Sequence, residues 1–298
     1  MRILITGATG FIGRPVVQQL ARRHEVFAAT RQPSCASLPS NVQTVQCSLA
    51  DPEAIAAVSK RLEVQTVLHL AWEGLPDYSL SRTLDNVRYS TTLVETLSRT
   101  GVKKIVIAGS CWELGEHWGM VDEDATPTNP GIFGIGKLSV KAFAERICRD
   151  FNSEMIWARL FYVYGPGQRR EALIPSIHQS LQSNGNVQLK TPDATHDFVY
   201  VDDAAAALAL LTSSEQVGSG TFNIGSGRPV SVGEIADLVA ETLALRTSAN
   251  ESIAAQRGMI ADISKIQSLG WSPSTDIRSG VQESVRALQR ERMRSNTD

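Results

Sequence analysis

The chain has no surplus of positive charge. Its 298 residues carry 29 lysines and arginines against 31 aspartates and glutamates, a formal net charge of −2. That balance leaves no basic footprint for nucleic acid or an anionic membrane, although a local basic pocket for a diphosphate is compatible with it. Long apolar runs are missing too: none approaches the ~20 residues of a membrane span, and the first residues have the layout of a strand rather than a signal peptide. Cysteine is scarce, and Cys35, Cys47, Cys111 and Cys148 are scattered without metal-ligand spacing. Reduced thiols, no bound metal and a cytoplasmic location are therefore expected. Low-complexity tracts and an obvious repeat are absent, and the length suits one large or two interleaved domains.

What is present begins with glycine. Residues 1–6 predict a buried parallel strand, and residues 11–21 carry apolar side chains at helical spacing, with Pro15 tolerated in the first turn. Between them runs Gly7-Ala8-Thr9-Gly10-Phe11-Ile12-Gly13. Strand, glycine turn and helix make a phosphate cradle, in which free amides and the positive helix end face a pyrophosphate; the alternative is a tight turn and nothing more. Gly7, Thr9, Gly10, Phe11 and Ile12 are thus candidates to hold a dinucleotide. An acid at the end of the second strand, residues 25–30, would bind the adenosine ribose of NAD; Thr30 and Arg31 stand there instead. A guanidinium suits a ribose phosphate, which favours NADP(H) over NAD(H), unless Arg31 is a solvated surface residue. Ser48 and Leu49, after the third strand, are expected beside the adenine.

Strand and helix patterns then alternate: strands at 42–47, 66–70, 104–108 and 154–159, a helix from about 52, a long one ending near 100, and another over 134–151. This predicts an α/β fold, a Rossmann-type doubly wound parallel sheet whose ligands lie beyond the carboxyl ends of the strands. Leu70, Ala71 and Trp72, Ala108 with Ser110, and Phe161 with Tyr162 all point to that crevice. After Gly165-Pro166-Gly167 the texture changes, and 173–181 and 187–190 suggest a smaller C-terminal lobe. The expected division gives 1–164 to the dinucleotide domain, with 197–228 returning to it, and gives 165–196 and 229–298 to the second lobe. Within the returning part, strand 198–201 precedes a helix over 202–212 for which Asp202 is a natural cap.

Taken together, Thr6 to Gly13, His69-Leu70-Ala71, Asn86, Gly109-Ser110, Phe133-Gly134-Ile135-Gly136-Lys137, Val163 to Gly167, Asp197 to Asp203, Phe222 to Gly225 and Ala261 to Lys265 resemble the extended short-chain dehydrogenase/reductase family, in its branch of nucleotide-sugar epimerases, dehydratases and 4-ketoreductases. The resemblance implies that Ser110 hydrogen-bonds a sugar oxygen, that Lys137 holds the nicotinamide ribose, and that position 133 carries a tyrosine acid. Here it is phenylalanine. Three readings stay open: a substitution that removes one oxygen from an otherwise intact site, as in an inactive variant; an enzyme using another acid, such as Cys111, Glu113, Glu73 or a water; and a non-catalytic NADP-binding regulatory protein.

The same resemblance bears on the reaction. Dehydratases of the branch carry an Asp-Glu pair directly after the hydroxyl residue, where this chain has Cys111-Trp112, so elimination lacks its acid and base. Reduction of a nucleotide-linked 4-keto-6-deoxyhexose is the first expectation and NAD-dependent 4-epimerisation the second. Arg257 would clamp the nucleotide-diphosphate sugar, or else form an exposed ion pair. His196 and Tyr162 stand where arginine and asparagine are usual in the family, reshaping the sugar site. Trp72 would wall the hexose pocket or pack in the core, and Cys111 would touch the sugar or be a small buried residue. A homodimer is implied through a four-helix bundle of 86–100 and 137–151, although Leu93, Leu97, Val140 and Phe143 could also face inward.

Overall fold

The computed structural model describes residues 1–31, 38–245 and 258–295. The first apolar run becomes β1 (Arg2–Thr6), whose Ile3, Leu4 and Ile5 are at most 1% exposed, as a strand covered on both faces requires. The glycine turn leads into α1 (Gly13–Leu20), followed by β2 (Glu25–Thr30), β3 (Gln43–Gln46), α2 (Pro52–Arg61), β4 (Thr66–His69), α3 (Leu80–Arg99) and β5 (Lys104–Ser110). Helix starts are chemically marked: Asp51 accepts the Ala54 amide at 3.0 Å just ahead of Pro52, and Ser79 accepts that of Arg82 at 3.4 Å. One 3-10 turn, Cys111–Glu113, precedes β6 (Gly119–Val121), α4 (Ile132–Asp150), β7 (Glu154–Leu160) and β8 (Tyr162–Tyr164). The remainder comprises α5 (Leu173–Asn184), β9 (Thr195–Tyr200), α6 (Val201–Ser213), β10 (Gly220–Ile224), β11 (Pro229–Ser231), α7 (Val232–Thr242), β12 (Met259–Ala261), α8 (Ser264–Gln267) and α9 (Ile277–Ser295).

Seven strands form one parallel sheet in the order β10, β7, β5, β4, β1, β2, β3. The chain's direction of travel reverses between β1 and β4, which creates a crevice at the strand ends. Helices α1 and α6 bury one face of the sheet, and α2, α3 and α4 bury the other. Leu93, Leu97 and Val140 belong to this second core, whereas Phe143 is 54% exposed.

Three local expectations are corrected. Residues 187–190, expected as an element of the smaller lobe, carry no regular structure, although Val187 and Leu189 pack against that lobe's core. Strand β9 does not join the main sheet but pairs with β8 and β11, and the return runs instead through α6 and β10. The cap position of α6 is Tyr200, with no side-chain cap. Asp202 lies inside the first turn, where its charge faces the positive helix end, while Asp203 reaches back to accept the amides of Ser274 and Thr275 at 3.1 and 2.9 Å. Among the described residues, no helix is long and apolar enough to cross a membrane, and no cluster of His, Cys, Asp and Glu could hold a metal. Cys47, Cys111 and Cys148 are free and buried, and Cys35 lies outside the described residues.

Candidate active site

A cavity of about 960 Å³ opens where β1, β2, β4 and β5 end, within the size range of small-molecule sites. Its floor is the glycine turn. Gly7 has a φ of +72°, and a Cβ there would meet the Ala71 backbone at 2.8 Å; one on Gly13 would meet the Gly7 carbonyl oxygen at 2.1 Å. Strand, turn and helix can pack this closely only without those side chains, which brings the first amides of α1 to the cavity and fits a dinucleotide pyrophosphate. The turn is braced from β4: the Ala71 amide donates to Thr6 Oγ1 at 3.3 Å, and His69 links Thr6 Oγ1 at 2.7 Å to Ser90 Oγ at 2.9 Å. Burial, helped by the Lys137 charge, lowers His69 to about 3, so it is a neutral bridge and not a base.

Gly7, Thr9, Gly10, Phe11 and Ile12 line this end of the cavity, and Ser48 and Leu49 line the end beside β3. Leu70, Ala71, Ala108 and Phe161 line the middle. Arg31 is on the rim, its side chain 76% exposed, with Nη1 3.0 Å from Glu73 Oε1 across the mouth.

Ser110 closes β5 in a reciprocal cap. Its amide donates to Glu113 Oε2 at 3.2 Å while its Oγ accepts the Trp112 amide at 3.3 Å, which fixes the hydroxyl on the cavity wall with its proton left to donate. Glu113 is fully buried and also accepts from Trp157 Nε1 at 2.8 Å and Arg159 Nε at 2.8 Å. Arg159 Nη1 continues to Asn223 Oδ1 at 3.1 Å. A carboxylate so committed has no path to a substrate, which removes Glu113 as a substitute acid. Cys111 is 2% exposed within the core, and burial pushes its thiol far up, with the Glu113 charge adding to the effect. Of its two readings, sugar contact or small buried residue, its burial and its place off the cavity lining favour the second.

Lys137 stands one helical turn after Phe133 on α4. Its Nζ donates to the Ala108 carbonyl at 2.8 Å and lies 4.2 Å from the centre of the Trp72 ring. Burial lowers it to about 8, opposed by the charge of Glu113. Phe133 lies on the cavity wall, ringed edge-on by Trp72, Tyr78 and Trp112 at 5.2, 5.4 and 5.9 Å between centroids. Trp72 both lines the cavity and packs against the second core. Tyr162 and His196 stack at 4.3 Å just off the cavity lining, and Tyr162 Oη accepts Trp112 Nε1 at 3.2 Å. Desolvation pushes Tyr162 up to about 12 and His196 down. Arg257 lies outside the described residues.

The sequence reading did not single out Arg169, a cavity-lining residue whose Nη2 donates to Tyr78 Oη at 3.2 Å. The preceding Gly165-Pro166-Gly167 was the available signal, since it announces a loop at the crevice. Asp197 was also missed as a latch: buried, it accepts the amides of Ser226, Gly227 and Ala261 and so ties β9 to the loop after β10 and to β12.

Residues 3–225 match the family model described as the NAD dependent epimerase/dehydratase family. The chain is 30% identical to the dTDP-6-deoxy-L-talose 4-dehydrogenase (NAD(+)) of Aggregatibacter actinomycetemcomitans, over 78% of this chain and 87% of that one. It is 24% identical to the dTDP-4-dehydro-6-deoxyglucose reductase of Escherichia coli, over 96% and 97%. Among solved structures, MoeE5 in complex with UDP-glucose and NAD matches with a TM-score of 0.83 at 30% identity, over 98% of this chain and 99% of that one.

Proposed function

The chain belongs to the NAD dependent epimerase/dehydratase family, enzymes of the extended short-chain dehydrogenase/reductase class, and from that premise we propose that it reduces the C4 ketone of a nucleotide-linked 4-keto-6-deoxyhexose with NADP(H). The observation that carries this reading is the turn after Ser110: Cys111 is buried and Glu113 is committed to Arg159, so the hydroxyl has no free acid-base pair behind it. Elimination of water needs such a pair, whereas reduction does not. A dinucleotide held by the glycine turn would supply hydride. Ser110 donates its hydroxyl proton to a hydrogen bond with the ketone oxygen, and Lys137 offers its ammonium to ribose hydroxyls. The two relatives acting at a sugar C4 position in their names support the same chemistry.

The test is NADPH oxidation by the purified protein with dTDP-, GDP-, CDP- and UDP-linked 4-keto-6-deoxyhexoses. Turnover with one of them is expected, and its absence with all four, for both the wild type and Phe133→Tyr, would end the reading. For the choice of dinucleotide, the carboxyl end of β2 offers no acid for an adenosine ribose, and Arg31 could turn from Glu73 to a 2′-phosphate. Arg31→Ala is accordingly expected to weaken NADPH binding by about tenfold and to leave NADH within about twofold, as read by fluorescence titration. A second reading, 4-epimerisation on tightly held NAD, is favoured by MoeE5, whose structure holds NAD and UDP-glucose. Mass spectrometry of nucleotide retained through purification separates the two. A homodimer through α3 and α4 is part of the proposal, supported by exposed Leu80, Leu84, Ile135 and Phe143 on those helices.

A further inference from the structure

Position 133 has no proton to give, yet a phenol lies beside it. Tyr78, half-buried in the loop between β4 and α3, places its ring 5.4 Å from that of Phe133 and 5.3 Å from that of Trp112. Its Oη accepts a hydrogen bond from Arg169 Nη2 at 3.2 Å; Arg169 and Phe133 line the cavity, and Tyr78 stands directly behind them, one side-chain rotation from the opening. We propose that Tyr78 is the acid of this site, supplying from the β4–α3 loop the phenolic proton that α4 lacks. The assignment rests on the ketoreductase reading above.

The chemistry balances. As hydride arrives at C4, the electron pair of the carbonyl π bond moves to the oxygen and forms a new O–H bond with the Tyr78 proton. The phenol O–H bond breaks, its pair stays on Oη, and the phenolate so formed is met by the guanidinium already donating to that oxygen. Water at the cavity mouth then restores the proton. Arg169, exposed on its loop, thus sets a cation beside the oxygen that becomes an anion.

The other candidates lack this arrangement. Tyr162 already receives the Trp112 indole and is paired with His196, and among the described residues no cation donates to its hydroxyl. Glu113 is sealed in its ion pair, and Glu73 faces Arg31 on the outer rim. Lys137 points its Nζ at the Ala108 carbonyl.

The experiment compares wild type, Tyr78→Phe, Phe133→Tyr and the double variant. Three quantities are measured: single-turnover reduction of a dTDP-linked 4-keto-6-deoxyhexose, NADPH binding by fluorescence, and calorimetric binding of a dTDP-linked 6-deoxyhexose to dinucleotide-free protein. Tyr78→Phe is expected to slow reduction by about 100-fold, to leave NADPH affinity within about twofold, and to weaken the sugar nucleotide by about fivefold through one lost hydrogen bond. Phe133→Tyr in the Tyr78→Phe background should restore at least about tenfold by returning a phenol to the site. A Tyr78→Phe rate close to wild type overturns the assignment, as does a wild type that is inactive while Phe133→Tyr turns over; both leave the ketoreductase reading standing. A loss that Phe133→Tyr does not repair reduces Tyr78 to a packing role. If no variant reduces any 4-keto sugar, the functional reading falls and the assignment with it.

Discussion

Glu113→Leu is expected to destabilise the protein by about 3–5 kcal/mol, the range for removing one partner of a buried ion pair. Arg159 is only 2% exposed and Glu113 is fully buried, so neither charge has water to fall back on. The carboxylate collects three donors from two strands: the Ser110 amide at the end of β5, and Trp157 Nε1 and Arg159 Nε on β7. Its loss leaves a guanidinium without an anion and an indole N–H without an acceptor, each a separate penalty.

The companion variant decides whether this is charge or shape. Glu113→Leu with Arg159→Met removes both ions, and such replacements are often neutral or stabilising, because desolvation of a buried pair largely offsets its attraction. The double variant should therefore recover most of the lost stability in urea or thermal melts. It should not recover turnover, since the Ser110 amide still lacks the carboxylate that holds its turn. A single variant that loses under about 1 kcal/mol would mean that water reaches Arg159 and that the pair is not the anchor described.

How much of this was legible beforehand follows from which interactions are local. The glycine turn could be read because strand, glycines and helix are contiguous and each is required by backbone sterics, and every residue it nominated lines the cavity. Ser110, Phe133 and Lys137 were legible by resemblance, and the sheet brings them to one wall. The Glu113–Arg159 pair spans 46 residues and has no local pattern, so Glu113 looked like a spare acid when it is a buried anchor. Tyr78 and Arg169 meet across 91 residues, through two loops whose composition says only that they are loops. The error at Asp202 has the opposite cause: a local capping signal was present, but the helix begins one residue earlier, with Tyr200 at the cap position.

Lys137→Met is expected to weaken NADPH binding by about tenfold to a hundredfold, the range for losing a charged hydrogen bond, while leaving the melting temperature unchanged or raised. The ammonium is buried beside the Ala108 carbonyl and the faces of Trp72 and Phe133, and burial lowers it from 10.5 to about 8. Between those two values the unfolded chain binds more protons than the folded one. The contribution of this group to stability is therefore fully present above 10.5 and is lost as the pH falls through about 8. At neutral pH the fold carries the cost of a desolvated cation, and methionine of similar length removes it at the expense of one hydrogen bond to Ala108, so the two effects roughly offset or favour the variant. Affinity runs the other way: the cation that meets the ribose is present below about 8 and is titrated away above it, so NADPH binding to wild type should fall across that pH while that to Lys137→Met stays flat. Equal NADPH affinity in the two proteins, or a variant that melts ten or more degrees lower, would mean that Lys137 fastens α4 to β5 and does not face a ligand.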